Sequence, residues 1–154
     1  MPAQCCSLNG KTAIITGASR GIGKAIAIQL ATCGAKISLV ARNQHDLDAV
    51  QKIINHSGGE SQSLIGDVSN FESFSWIVTQ TLEKWQKVDI LVNNAGTNPY
   101  YGDLIDIDLK LVEKIQQVNV VAPLGWVPEC RVGGVASCVG LKTCPPVATV
   151  PEAL

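Results

Sequence analysis

Apolar residues fall in two rhythms along this chain. Short unbroken runs, such as Ala13-Ile14-Ile15 and Leu91-Val92, have the length and β-branched content of strands buried on both faces. Between them, apolar residues recur every three or four positions, as on amphipathic helices. The runs predict strands over 12–16, 36–41, 63–66 and 88–93. The first helix is expected to carry Ile22, Ile26, Leu30 and Cys33 on its buried face and to stop at Gly34. Leu47, Val50 and Ile54 mark the second helix, which should end before Gly58-Gly59. Ser69-Asn70-Phe71-Glu72 reads as a capping box opening the third, which carries Phe71, Phe74, Val78, Leu82 and Trp85. A last helix, near 108–121, sets Val112, Ile115 and Asn119 on one side.

Strands joined by helices imply parallel pairing through right-handed crossovers. The expected fold is therefore α/β, a doubly wound parallel sheet in the order 3-2-1-4. In such sheets ligands bind at the carboxyl ends of the strands. The pattern breaks after Ala122: residues 123–154 hold five of the seven prolines and three of the six cysteines, but only four charged residues. Prolines at 128, 145, 146 and 151 argue against a long helix there, and Gly133, Gly134 and Gly140 flank one short strand over 135–139. Two units are expected: a nucleotide-binding domain over 1–124 and an irregular Pro/Gly/Cys-rich tail over 125–154. That tail is either irregular by nature or a replacement for sequence that once completed the sheet.

Composition narrows the classes. At 154 residues the chain is one domain with room for a core, and a net charge of −1 gives no reason to expect a nucleic-acid partner. No apolar run suits a membrane span, and residues 1–8 lack a basic or apolar leader, so a cytoplasmic location is expected. Six cysteines without Cys-x-x-Cys spacing, and only His45 and His56, make a metal site unexpected and free thiols the simpler reading.

The most informative stretch is Thr16-Gly17-Ala18-Ser19-Arg20-Gly21-Ile22-Gly23, between a strand and a helix. Glycines let the backbone turn tightly and approach a diphosphate, and a helix N-terminus offers unpaired N–H groups there. The spacing is neither Gly-x-Gly-x-x-Gly, since Ile26 stands where a third glycine would fall, nor a Walker A loop. Charge at the end of the second strand bears on the choice of dinucleotide. Where an acidic residue would take the ribose hydroxyls of NAD, this chain has Ala41 and then Arg42. Arg42, with Arg20 inside the turn, favours NADP(H) over NAD(H), although each arginine could also be an ordinary surface charge.

Asp67-Val68 follows the third strand, Asn93-Asn94-Ala95-Gly96 the fourth, and Asn119 lies in the last helix. Taken with the glycine turn, these motifs resemble the short-chain dehydrogenase/reductase family over about 8–124, its cofactor-binding half, which has a Rossmann fold. The resemblance implies that Gly17, Ser19, Arg20, Gly21, Ile22 and Gly23 receive the cofactor. It implies that Asp67 and Val68 meet adenine, and that Asn94, Ala95 and Gly96 lie beside ribose and nicotinamide. Asn119 would extend a proton relay; its local alternative is an Asn satisfied at a helix kink. Asp67 could equally just end its strand.

The family's Tyr-x-x-x-Lys pair is missing: the only tyrosines are Tyr100 and Tyr101, with no Lys four positions after either. A phenol titrates near ~10 and is a poor base without a neighbouring cation. Gly133-Gly134-Val135-Ala136-Ser137-Cys138-Val139-Gly140 looks like a degraded form of the family's fifth strand and its serine turn, which would put Ser137 at the catalytic serine's place, unless it is an accidental serine. Three functions stay open. One is an NADP(H)-dependent reductase of carbonyls or alcohols, inactive as this chain. The second is a non-catalytic module that binds NADP(H) or pairs with a full-length relative. The third is a non-functional truncated or frameshifted product with an uncovered sheet edge.

Overall fold

A computed structural model describes residues 7–132 and 137–140. Strands and helices alternate: β1 (Thr12–Thr16), α1 (Gly21–Thr32), β2 (Lys36–Ala41), α2 (Gln44–His56), β3 (Glu60–Ile65), α3 (Phe71–Trp85) and β4 (Ile90–Asn93). A 3-10 turn (Leu104–Asp106) leads to α4 (Leu109–Gln116), a π-helical turn (Gln117–Val121), α5 (Ala122–Val132) and β5 (Ser137–Gly140). All strand pairs are parallel, in the order β3-β2-β1-β4-β5. The fold is the doubly wound α/β sheet expected; β5 overlaps the short strand expected over 135–139 and adds it to the order beside β4.

Strand alternation divides the core between the two faces. Ala13, Ile15, Ile37 and Leu39 pack with Ala27 and Ala31 of α1 and Leu47, Val50 and Ile54 of α2. Ile14, Val40 and Leu91 face the other way, against Phe74, Ile77 and Val78 of α3 and Ala122, Trp126 and Cys130 of α5. The Phe74 and Trp126 rings lie 4.5 Å apart. Each such buried side chain contributes about 1.5–3 kcal/mol, so α5 is part of the core.

Several expectations give way. The buried stripe of α1 is Gly23, Ala27 and Ala31, whereas Ile22 is 65% exposed. Small residues let the helix lie close on β1, which a reading weighted toward large apolar side chains overlooks. The N-cap of α3 is Asn70, whose Oδ1 accepts from the Glu72 N–H at 2.9 Å, while the Ser69 hydroxyl turns back to Asp67. The Ser69 capping box is therefore not formed. β3 starts at Glu60, three residues before the expected start, and β4 starts at Ile90.

The expected boundary at 124 falls inside the helical run: α5 crosses it and carries Pro128 in its interior. A helix-interior proline costs about 3 kcal/mol, a loss that burial of Trp126 and Cys130 offsets. β4 is an inner strand, because β5 covers the edge expected to be bare. Free thiols were expected throughout; Cys130 is buried, whereas Cys33 is disulfide-bonded. Residues 133–136 and 141–154, which hold most of the expected tail, lie outside the described residues. No helix among the described residues is long and apolar enough to cross a membrane.

Candidate functional site

The carboxyl ends of β1 and β4 are joined through one hydroxyl. Thr16 Oγ1 accepts the Asn94 and Ala95 N–H groups at 3.0 and 3.1 Å and donates to the Val92 carbonyl at 3.3 Å. Asn94 Nδ2 returns the link, donating to the Thr16 and Gly17 carbonyls at 3.0 and 3.2 Å. Asn94 thus ties strand ends, as its amide suggested. The role of Thr16 as the junction between β1 and β4 is not legible in sequence, where it only opens the glycine turn.

That junction explains two of the three glycines. A Cβ on Gly17 would stand 2.9 Å from Asn94 Nδ2 and 3.0 Å from Ala95 Cα, and Gly17 has φ +64°. A Cβ on Gly23 would run into the Gly17 carbonyl and Asn94 Nδ2. Gly21 differs: its φ is +56°, and a Cβ there would meet nothing within 4 Å. The open side of the turn is therefore at Gly21, where a ligand can reach the backbone. Arg20 is the N-cap of α1, no side chain caps this end, and no acidic residue lies in the first turn. The first N–H groups of α1 are left for an anion, which the helix dipole favours. Exposed Ile22 supplies an apolar surface beside them.

The turn bears on β2 through Ala18, whose N–H donates to the Val40 carbonyl at 3.1 Å. Ser19 is half-buried in this turn, and Arg20 and Arg42 are exposed. Neither arginine makes an ion pair among the described residues. Next in the row, the Gly66 N–H bonds the Ala41 carbonyl, which brings the end of β3 beside Arg42.

Asp67 follows. Its Oδ1 accepts from the Ser69 hydroxyl at 2.7 Å and the Ser69 N–H at 2.9 Å. The Ser69 hydroxyl is the main reason its carboxyl lies below the usual range. Burial opposes that shift, while the Ser69 N–H and the charges of Arg42 and Lys114 assist it. Both bonds fall on Oδ1; Oδ2 makes none among the described residues and is available as an acceptor. Val68 is half-buried against the α3–α5 face of the core.

Past β4, Ala95 is half-buried and Gly96 exposed. Asn119 pairs with the Thr97 backbone at both ends of its amide: Oδ1 accepts the Thr97 N–H and Nδ2 donates to the Thr97 carbonyl, each at 2.8 Å. It lies in the π-helical turn. Its polarity on an apolar helix is accounted for by this clasp.

Ser137 does not join the group. It opens β5 opposite Ile90, whereas Gly140 is the residue opposite Asn93. Three residues of strand, about 10 Å, separate Ser137 from the ligand edge. An echo of motif in sequence carries no information on register. The described residues thus bring together Gly17 to Gly23, Arg42, Asp67, Val68, Asn94 to Gly96 and Asn119. They leave out Ser137.

The family model for short chain dehydrogenase matches residues 11–130. Dehydrogenase/reductase SDR family member 4 of Caenorhabditis elegans is 36% identical over 123 residues, covering 79% of this chain and 47% of the relative. A short-chain type dehydrogenase/reductase from Mycobacterium marinum superposes with a TM-score of 0.80 at 30% identity, covering 84% of this chain and 52% of that one. A metagenomic short-chain oxidoreductase, solved in complex with NADP, superposes with a TM-score of 0.79 at 34% identity, covering 86% and 62%. The chain spans about half the length of the curated relatives it matches.

Proposed function

The chain belongs to the short-chain dehydrogenase family, and on that premise we propose that it holds NADP(H) as the cofactor-binding half of a reductase of carbonyls or alcohols. The family binds a nicotinamide cofactor, which supplies or accepts a hydride. The residues of this chain bind and orient it. The uncapped start of α1 and the open side of Gly21 suit the diphosphate; Asp67 Oδ2 suits the adenine amino group. Thr16 and Asn94 hold the Ala95–Gly96 backbone, where a ribose can lie close because neither side chain intrudes.

The observation that carries the cofactor preference is the pair of exposed guanidiniums at Arg20 and Arg42, which make no ion pair among the described residues, with no carboxylate at the end of β2. Arg42→Asp replaces a 2′-phosphate partner with a like charge. A charge-assisted contact of this kind contributes roughly 1.5–3 kcal/mol, so NADPH affinity falls by at least about tenfold. Affinity for NADH stays the same or rises. Fluorescence titration with each cofactor checks this; equal losses for both would end the NADP(H) reading. The 154 residues hold no Tyr-x-x-x-Lys, so the chain alone is expected to bind cofactor without turnover. NADPH oxidation with a panel of ketones and aldehydes tests that.

A further inference from the structure

The loop after β4 is strapped to the helical run at two points, one within the π-helical turn and one just after it. Thr97 is clasped by Asn119, and four residues earlier Asn93 Nδ2 donates to the Pro123 carbonyl at 3.3 Å. Residues 93–97, which include the Asn94-Ala95-Gly96 floor of the site, therefore lie across 119–123. The clasp sits against that floor: a Cβ on Gly96 would be 3.5 Å from Asn119 Oδ1.

Within the strapped segment the ladder slips by one residue, the Ala122 N–H bonding the Gln117 carbonyl five positions back. Pro123 has no N–H, so the Asn119 carbonyl has no donor four residues on. In a straight α-helix the proline ring would also crowd that carbonyl. The extra residue of a π turn relieves both and rotates the segment before it by about 100° relative to α5. Proline alone does not dictate this, because Pro128 sits in α5 without a π turn. What distinguishes Pro123 is that the carbonyl it deprives belongs to the residue whose side chain is clasped.

We infer that Pro123 is a positioning residue for the nucleotide pocket: by denying Asn119 its helical donor it keeps the π turn in place, and with it the Asn119–Thr97 clasp that fixes the floor. The link to cofactor rests on the function proposed above; the link to the clasp does not.

The test uses the full chain. Pro123→Ala restores the missing N–H and lets the ladder close, so protection of the Thr97 amide from hydrogen exchange falls about tenfold, the scale of one lost hydrogen bond. The Ile14 amide in β1 keeps its protection, which a general loss of stability would not allow. NADPH affinity falls about threefold or more. A semisynthetic chain with N-methylalanine at position 123, again without an N–H, retains both parent values. The inference is overturned if Ala leaves Thr97 protected within about twofold, or if N-methylalanine loses that protection too. Should the Ala variant not fold, the N-methylalanine chain decides alone, retention supporting the inference and loss ending it. If the parent binds no NADPH, the cofactor reading fails, while the exchange result still judges the clasp.

Discussion

Two carboxylates stand at opposite ends of the sheet, and they differ in how much of their bonding capacity is used. Asp89, just before β4, commits both oxygens: Oδ1 to Lys11 Nζ at 2.9 Å, Oδ2 to the Thr12 N–H at 2.9 Å and to Lys87 Nζ at 3.5 Å. Burial works to raise its pKa, but the Lys11 bond, the Thr12 N–H and the charges of Lys87 and Lys11 together hold it below the usual range. Asp67, just after β3, commits only Oδ1 among the described residues. The same contrast runs through the two ends. The Asp89 end is a closed clasp, whereas the Asp67 end combines a tight junction at Thr16 with an uncapped helix and two arginines that make no ion pair among the described residues. A low carboxylate pKa does not by itself mark a binding residue; unused acceptors and donors do.

The sharpest way to probe the open end is through its glycines. Gly23→Ala drives a methyl into the Gly17 carbonyl and Asn94, and overpacking of this kind costs about 3 kcal/mol in urea melts. Gly21→Ala puts its methyl into open space, so only the backbone strain of about 1 kcal/mol is felt in stability, and the larger effect is on NADPH binding. If Gly21→Ala destabilised as much as Gly23→Ala, the turn would have no open side.

A second pair of variants sets the ends directly against each other. Asp89→Asn loses two ion pairs and weakens the Thr12 bond, lowering stability by about 2 kcal/mol without changing NADPH affinity. Asp67→Asn keeps an Oδ1 acceptor for Ser69 and lowers stability by about 0.5 kcal/mol or less, but it puts at risk the acceptor offered to adenine. Reversed or equal stability losses would break the comparison.

The smallest effect is in pH. Both carboxyls have folded-state pKa values below their unfolded ones. The stability they contribute is therefore fully present above about pH 4 and is lost as pH falls through the depressed values. Urea melts from pH 6 down to pH 2, taken in about one-unit steps, should show a shallower acid decline for Asp89→Asn than for the parent.

Much of this fold could be read in advance because its signals are local. Unbroken apolar runs mark β1 and β2, and a glycine turn between strand and helix announces an anion cradle through backbone geometry alone. What escaped depends on contacts remote in sequence. Thr16 meets Asn94 and Ala95 only once β1 and β4 pair. The small stripe Gly23, Ala27 and Ala31 makes sense only once α1 lies on the sheet. Pro128 counted, with Pro145, Pro146 and Pro151, toward an irregular tail because proline's local cost is visible in sequence, whereas the burial of Trp126 against Phe74 that holds α5 is not. Ser137 shows the limit of motif resemblance: residue type was legible, register was not.

Trp126 also gives this protein a built-in optical gauge. Its indole is 1% exposed, tilted against Phe74, with a buried Nε1 that bonds nothing among the described residues, whereas Trp76 on α3 is 47% exposed. An aqueous quencher will reach Trp76 freely and Trp126 only when α5 lifts from the sheet. Once half-buried Trp85 at the end of α3 is replaced by Phe, the shielded, blue-shifted share of the emission thus counts the molecules in which the last helix is docked.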